Sequence, residues 1–305
     1  MKPSHGDTAL EKELTGDGSK PVIASFDLAS TPLHLGSVRL RVRDLVGMAE
    51  FYRTAIGLQL IGEDKSEVIL GSGSRPLLVL RGDPGLSRRD PREAGLFHIA
   101  FLLPSRADLA RWLAYANSAN IRLQGVADHL VSEALYLADP EGNGIEIYVD
   151  REPSRWRNEG GDIIMTADPL DTEDLLAQQG ARGWTSFPEA GCVGHVHLQT
   201  GDLNLADQFF RGLLGFDVTF RYHGACFFGS GGYHHQIAAN IWNSKGAGMR
   251  TSSMAGLDAY ELRLLDPDTK KQIKNRATAM GVQTETRDGA LVLYDPWGTQ
   301  VTLLG

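Results

Sequence analysis

Hydrophobic and polar positions in this chain follow one pattern four times. From Leu35, the segment LGSVRLRVRDLVGMAEFYRTAIGLQLI opens on alternating apolar residues, the period of a strand with one buried face. An Asp-Leu start signal and apolar residues at helical spacing come next, then a glycine and a further strand. The same succession returns from Val193 as VGHVHLQTGDLNLADQFFRGLLGFDVT, offset by 158 residues, so that Asp44 maps to Asp202, Phe51 to Phe209 and Gly57 to Gly215. A second kind of copy follows each of these. Leu96 to Leu103 is an apolar strand, Ser105 to Ala119 predicts a helix with Ser105 as N-cap, and three strands end in IEIYV. Its partner runs from Leu257 to Leu304, with DPWG at Asp295 matching DPEG at Asp139 at an offset of 156. That turn is favoured before a last strand because Pro fixes φ and Gly tolerates positive φ.

The pattern thus predicts an α+β chain of four βαβββ modules, at 33–81, 94–151, 192–243 and 256–305, preceded by an N-terminal arm, 1–32. Residues 152–191 form a charged, proline-containing connector with one short helix near Asp171 to Gln178, expected to pack on the surface.

Composition narrows the function. The 305 residues are 42% hydrophobic and 22% charged, as in a soluble globular protein. A net charge of -8 with no basic stretch argues against a nucleic-acid partner and for a small-molecule ligand. Two cysteines, Cys192 and Cys226, are too few for a disulfide framework or a cysteine metal site and suit a reducing cytoplasm. The sequence shows neither an apolar leader nor a run of about 18 apolar residues, so neither secretion nor membrane insertion is expected.

Three short segments carry candidate chemistry: His98 in LFHIAF, Glu146 in DPEGNGIEIY and His195 in VGHVHL. Two imidazoles and one carboxylate can hold a ferrous ion on one face and leave the other open. A lone histidine at a strand start is more often structural than a ligand. Glu146 is different: with Ile145 and Ile147 on one face it points to the other, where an enclosed carboxylate needs a partner or a cation. His197 shares a strand face with His195 and is its rival as a ligand.

The fourfold pattern resembles the vicinal oxygen chelate superfamily, which includes glyoxalase I, fosfomycin-resistance proteins and type I extradiol dioxygenases. The resemblance implies two cup-shaped mixed sheets, each built from two modules, with ligands on the first and last strands of a module. On that basis the chain divides into two such domains, 33–151 and 192–305. The first-strand positions are Ser37, His98, His195 and Ala259; Glu146 maps to Thr302 and His235 to Leu77 on the last strands. Only the inner modules carry ligands. His98, Glu146 and His195 therefore make a complete set if modules two and three share a cup, within one chain or across a homodimer or higher homo-oligomer.

Further motifs are similar to the catechol-2,3-dioxygenase subgroup of the extradiol enzymes, whose pattern is DHLVSEALYLxDPxGNGIEIY with GGYHHHI. The resemblance implies Fe(II), with Mn(II) as an alternative on the same donors, and a small aromatic diol and O2 as substrates. It also implies His235 as acid–base catalyst, with Tyr136 and His129 steadying the substrate oxygens. Gln236 departs from the third histidine of the motif. Structural alternatives stand beside these roles: His129 as a turn cap, Tyr136 as core, and only one of His234 and His235 facing the pocket, since neighbours in a strand point oppositely. Phe101, Phe228, Tyr233 and Trp242 are candidate pocket walls. The rival functions are a glyoxalase-like isomerase or thiol transferase using Zn(II), Ni(II) or Mn(II), and a metal-free binding protein of the same fold.

Overall fold

The computed structural model describes residues 26–178, 180–181 and 183–305; most of the expected N-terminal arm lies outside them. The strands, in chain order, are β1 (Leu33–Val42), β2 (Gln59–Glu63), β3 (Glu67–Ser72), β4 (Arg75–Gly82), β5 (Gly95–Leu102), β6 (Gly125–Asp128), β7 (Ser132–Ala138) and β8 (Gly144–Asp150). The second half supplies β9 (Cys192–Gln199), β10 (Asp217–Tyr222), β11 (Ala225–Gly229), β12 (Ile237–Asn240), β13 (Gly256–Leu264), β14 (Glu285–Arg287), β15 (Ala290–Tyr294) and β16 (Gln300–Leu304). Helices α1 (Leu45–Phe51), α2 (Arg106–Ser118), α4 (Leu203–Asp207) and α5 (Pro267–Ala279) each follow the first strand of a module, and α3 (Thr172–Leu176) lies in the connector.

Local chemistry explains why the repeat folds alike in modules one and three. Asp44 and Asp202 both cap their helices, accepting from Gly47 N and from Asn204 N and Leu205 N. Each helix then widens into a π turn, Tyr52–Ile56 and Gln208–Leu214, and stops at a glycine with left-handed backbone, Gly57 at φ 84° and Gly215 at φ 91°. A side chain on Gly57 would also meet Phe187 N at 2.8 Å, so the position excludes larger residues twice over. In α2, Ser105 accepts from Asp108 N at the N-cap position.

The strands form two eight-stranded mixed sheets. One runs β14-β15-β16-β13-β1-β4-β3-β2 and joins modules one and four; the other runs β10-β11-β12-β9-β5-β8-β7-β6 and joins modules two and three. The seams are antiparallel pairs, β1 with β13 and β5 with β9. The sheets therefore cross the halves 33–151 and 192–305, each taking one module from each half. Helices tie the halves internally: the Trp112 indole donates to Ala55 O and Tyr115 to Thr54 O, while Arg276 donates to Leu213 O. One large apolar cluster runs between the sheets and holds Trp112, Tyr52, Phe101, Phe210, Phe228 and Tyr260, all nearly free of solvent.

The connector is more than a surface strap. Trp156, Ile163, Met165, Leu175 and Phe187 are buried, and an isolated bridge between Asp128 and Asp168 fastens the connector beside β6. Burial on this scale accounts for its ordered path despite a charged, proline-containing sequence.

The DP-G turns also hold a pH-sensitive element. Asp295 accepts from Trp297 N at 2.9 Å and Thr299 N at 2.8 Å, yet burial pushes its carboxyl up from 3.8 to about 6 in spite of those bonds. With the folded value above the unfolded one, the folded state binds more protons between about pH 4 and pH 6. Stability therefore falls as pH rises through that window. Asp295→Asn keeps an accepting oxygen and removes the charge, so it should raise thermal stability at pH 7.5, by up to about 3 kcal/mol, and make no difference near pH 4. Melting curves of both proteins across pH 4 to 8 check this.

Candidate active site

Modules two and three lay their polar residues in rows across one sheet. Tyr136 on β7 stands opposite Glu146 on β8, Glu146 beside Ala100 on β5, and Ala100 opposite His195 on β9. Ala100 is the small member of the row, leaving room for Glu146 and His195 to meet above it. The row alongside pairs His98 with His197. Gly194 permits this packing, because a side chain there would overlap the Tyr148 hydroxyl.

His98 Nε2 is 2.9 Å from Glu146 Oε2 and 3.3 Å from His195 Nε2, and His195 Nε2 is 3.1 Å from the same Glu146 oxygen. All three side chains are buried, and they form the one His/Cys/Asp/Glu cluster of metal-binding geometry among the described residues. Adjacent donors around one ion, with bonds of about 2.1 Å, stand about 3 Å apart, so this triangle fits a facial set. Burial would raise the Glu146 carboxyl, but the charges and hydrogen bonds of His195 and His98 outweigh it and hold the group well below the usual carboxylate range. Burial lowers His195, against the pull of Glu146. The Glu146 shift leaves that carboxylate anionic, the form that binds a cation. His195 Nδ1 has no hydrogen-bond partner; its ring is held instead between Tyr148 and His235, with centroids at 4.9 and 4.3 Å.

These donors lie in a cavity of about 300 Å³ that His129, Tyr136, His197 and His235 also line. The Thr166 carbonyl accepts from His129 Nδ1 at 2.5 Å, which leaves His129 Nε2 to accept from the Tyr136 hydroxyl at 2.6 Å. Burial, then the charge of Glu146, raises the Tyr136 phenol well above its ordinary value, so it remains a hydrogen-bond donor. His197 shares the cavity but bonds its Nε2 to the Asn240 amide at 3.0 Å. Burial, the largest cause, pushes His235 well below the usual imidazole value.

Some expectations need correction. His235 is not in the last strand of its module: it sits in the loop before β12, where Gly231 and Gly232 take left-handed backbone. His234 and His235 are therefore not on opposite faces of a strand. Both are buried with their Nδ1 atoms 2.9 Å apart, and of the two only His235 lines the cavity. Gln236 clamps this loop, accepting from Ser230 N at 2.7 Å and donating to Ser230 O at 3.1 Å. The departure from a third histidine thus replaces a ring with a loop brace.

Of the expected walls, Trp242 lines the cavity, whereas Phe101 and Phe228 point into the main core and Tyr233 into a second apolar cluster. The aromatic walls are instead Phe97, Phe220, Tyr222 and Phe227. A bulge at Leu96/His98 turns Phe97 to the same side as His98. Phe227 is one residue from Phe228 and so faces oppositely. Met165, Thr166 and Ala167 of the connector close a further side, which the charged flanks of that segment disguised in the sequence.

Residues 34–147 and 193–302 match the Glyoxalase/Bleomycin resistance protein/Dioxygenase superfamily, and the chain belongs to it. Within it, the chain is 38% identical over 268 residues to Catechol-2,3-dioxygenase of Bacillus subtilis (strain 168), covering 86% of this chain and 94% of the relative. Among solved structures it resembles a putative dioxygenase from Bacillus subtilis subsp. subtilis str. 168, with a TM-score of 0.60 at 12% identity over 88% of this chain and 84% of the other. It also resembles glyoxalase I from Zea mays, with a TM-score of 0.55 at 14% identity over 90% and 92%. At those identities the two structures show a shared fold and nothing finer. No helix among the described residues is long and apolar enough to cross a membrane.

Proposed function

We propose that this protein is an extradiol dioxygenase that opens the ring of a catechol beside its two hydroxyls, using Fe(II) and both atoms of O2. The observation that carries the reading is the placement of His235 and the Tyr136–His129 pair around the His98–Glu146–His195 triangle in one cavity. A site needing only Lewis-acid chemistry has no use for those three extra groups. The relative named for this activity supports the same reading.

In this mechanism His98, Glu146 and His195 would hold the iron, and Mn(II) suits the same donors. Such a metal would supply a Lewis-acidic centre at which a diol and dioxygen could be held and activated side by side. His235, neutral at physiological pH, takes a hydroxyl proton from the arriving catechol and returns one as the ring opens. The Tyr136 hydroxyl, its hydrogen held by His129 Nε2, accepts from a substrate hydroxyl through a free lone pair, and His129, anchored on Thr166 O, keeps that phenol aimed. Aromatic walls on several sides exclude water from the reacting ring. The catechol and O2 together supply every atom and electron of the ring-opened semialdehyde acid, with no external reductant.

The cavity also bears on substrate choice. Its lining is aromatic and aliphatic apart from the residues named above and Ser132, with no Lys or Arg among the described residues. A carboxylate on the ring would be desolvated there without a counter-charge. Catechols with an alkyl or aryl substituent should therefore exceed carboxylate-bearing ones in kcat/KM by at least about tenfold. Oxygen uptake and yellow product, measured with iron-loaded protein on a panel of both kinds, test the reaction and this preference together. Oxygen uptake with none of them, alongside isomerisation of a glutathione hemithioacetal, would favour the glyoxalase-like reading instead.

A further inference from the structure

A chain of hydrogen bonds leads away from His235 through the sheet. The Asp150 Oδ1 atom lies 2.8 Å from His234 Nε2 and 3.1 Å from the Tyr233 hydroxyl, which in turn is 2.9 Å from the Tyr148 hydroxyl. His234 is fully buried, and its Nδ1 is 2.9 Å from His235 Nδ1. Asp150 does not line the cavity that holds the donor triangle. It lines a different cavity, of about 520 Å³, with Leu102, Arg151 and Cys192. Neither Asp150 nor His234 can touch a substrate bound over the triangle, so any influence they have on it must pass through His235.

The order of donors along this chain is fixed from one end. A carboxylate only accepts, so His234 Nε2 carries the hydrogen it shares with Asp150. With that hydrogen on Nε2, Nδ1 is the ring nitrogen left to accept. Two ring nitrogens 2.9 Å apart need one hydrogen between them, and it must come from His235 Nδ1. That leaves His235 Nε2 bare, in a ring that lines the reaction cavity and packs on His195. Tyr233 reinforces the arrangement: its hydroxyl bonds the same Asp150 oxygen, and its ring lies 4.0 Å from that of His234, between centroids. Trp156 from the connector packs edge-on against His234 at 4.9 Å, so the His234 ring is braced from both sides.

We propose that Asp150 and His234 are positioning residues that set the tautomer of His235, placing its hydrogen on Nδ1 and presenting Nε2 to the substrate as a ready proton acceptor. The inference rests on the reading of His235 as the acid–base group. It adds a carboxylate–imidazole–imidazole series in which the carboxylate acts two rings away from the chemistry, by the same orienting logic that a carboxylate exerts on one imidazole in a hydrolase triad.

Zinc-loaded, 15N-histidine-labelled protein provides the direct test, because zinc is diamagnetic and turnover is not needed. Long-range proton–nitrogen correlation should show His235 with hydrogen on Nδ1 and a bare Nε2, and His234 with hydrogen on Nε2. In Asp150→Ala the His235 signals should shift toward a mixture of tautomers. The iron-loaded variant should lose about ten- to a hundredfold in kcat, with metal content and KM for the catechol close to those of the parent. A parent spectrum with the His235 hydrogen on Nε2 would overturn the proposal, as would an Asp150→Ala variant with unchanged kcat. Should that variant not fold, the parent spectrum still decides. If the expected tautomers are found but no catechol is cleaved, the functional reading fails and the positioning chain stands. Catechol cleavage with the opposite tautomer would mean that the positioning chain fails and the functional reading stands.

Discussion

Alanine at His98, Glu146 or His195 is expected to reduce bound metal from one ion per chain to background and to remove ring-cleaving activity entirely. The three donor atoms form a triangle with edges of 2.9, 3.1 and 3.3 Å, so each supplies one third of the ligand set. Glu146 is the one anionic donor of the three, and its oxygen faces both imidazoles. Removing it leaves two neutral nitrogens facing each other in an apolar enclosure, a poor site for a hard divalent ion. Because these donors come from β5, β8 and β9, the effect should appear equally for variants in either half of the chain. Metal analysis after anaerobic loading and desalting measures it. Full metal retention by any one of the three variants would mean that the ion is held elsewhere.

The second large effect concerns His235. His235→Ala should lower kcat by about a hundred- to ten-thousandfold, the usual contribution of a positioned acid–base group, while the metal remains at one per chain. The contrast with the donor variants is the informative part. His235 contacts His195 through ring packing only, at 4.3 Å between centroids, and shares no edge of the triangle. Loss of metal in His235→Ala would make it a structural support of the donors, and an unchanged kcat would remove it from the chemistry.

The repeat made most of the fold legible because its signals are local. A capping aspartate, a run of apolar residues and a left-handed glycine act within one helix, so Asp44 with Gly57 and Asp202 with Gly215 mark the same element in both copies. Which modules share a sheet is a long-range matter. Its trace in the sequence was chemical: acceptable ligand residues occurred only in modules two and three, and those two modules share a sheet. Alternation correctly placed Glu146 opposite Ile145 and Ile147, because β8 is regular across its pairing with β7. The expected aromatic walls rest on composition alone, and of those only Trp242 lines the cavity; a bulge beside Phe97 turns that ring toward His98, and a single step along the strand separates Phe227 from Phe228. The loop at Gly231 to Gln236 reads as strand in outline, yet two consecutive glycines with positive φ turn it aside and bring His234 and His235 together. The connector's share of the cavity was hidden because Met165, Thr166 and Ala167 sit among charged residues, and only tertiary packing shows which of them face inward.

The most direct test of the central claim, that donors from two modules make one oxygen-activating centre, is a single turnover under 18O2. Anaerobic protein loaded with one Fe(II) per chain and an alkyl-substituted catechol would be mixed with 18O2 and quenched promptly for mass spectrometry. The expected result is a ring-opened product carrying two labelled atoms, formed by the parent and absent from His98→Ala and His195→Ala. Unlabelled or uncleaved catechol from fully iron-loaded parent protein would contradict it.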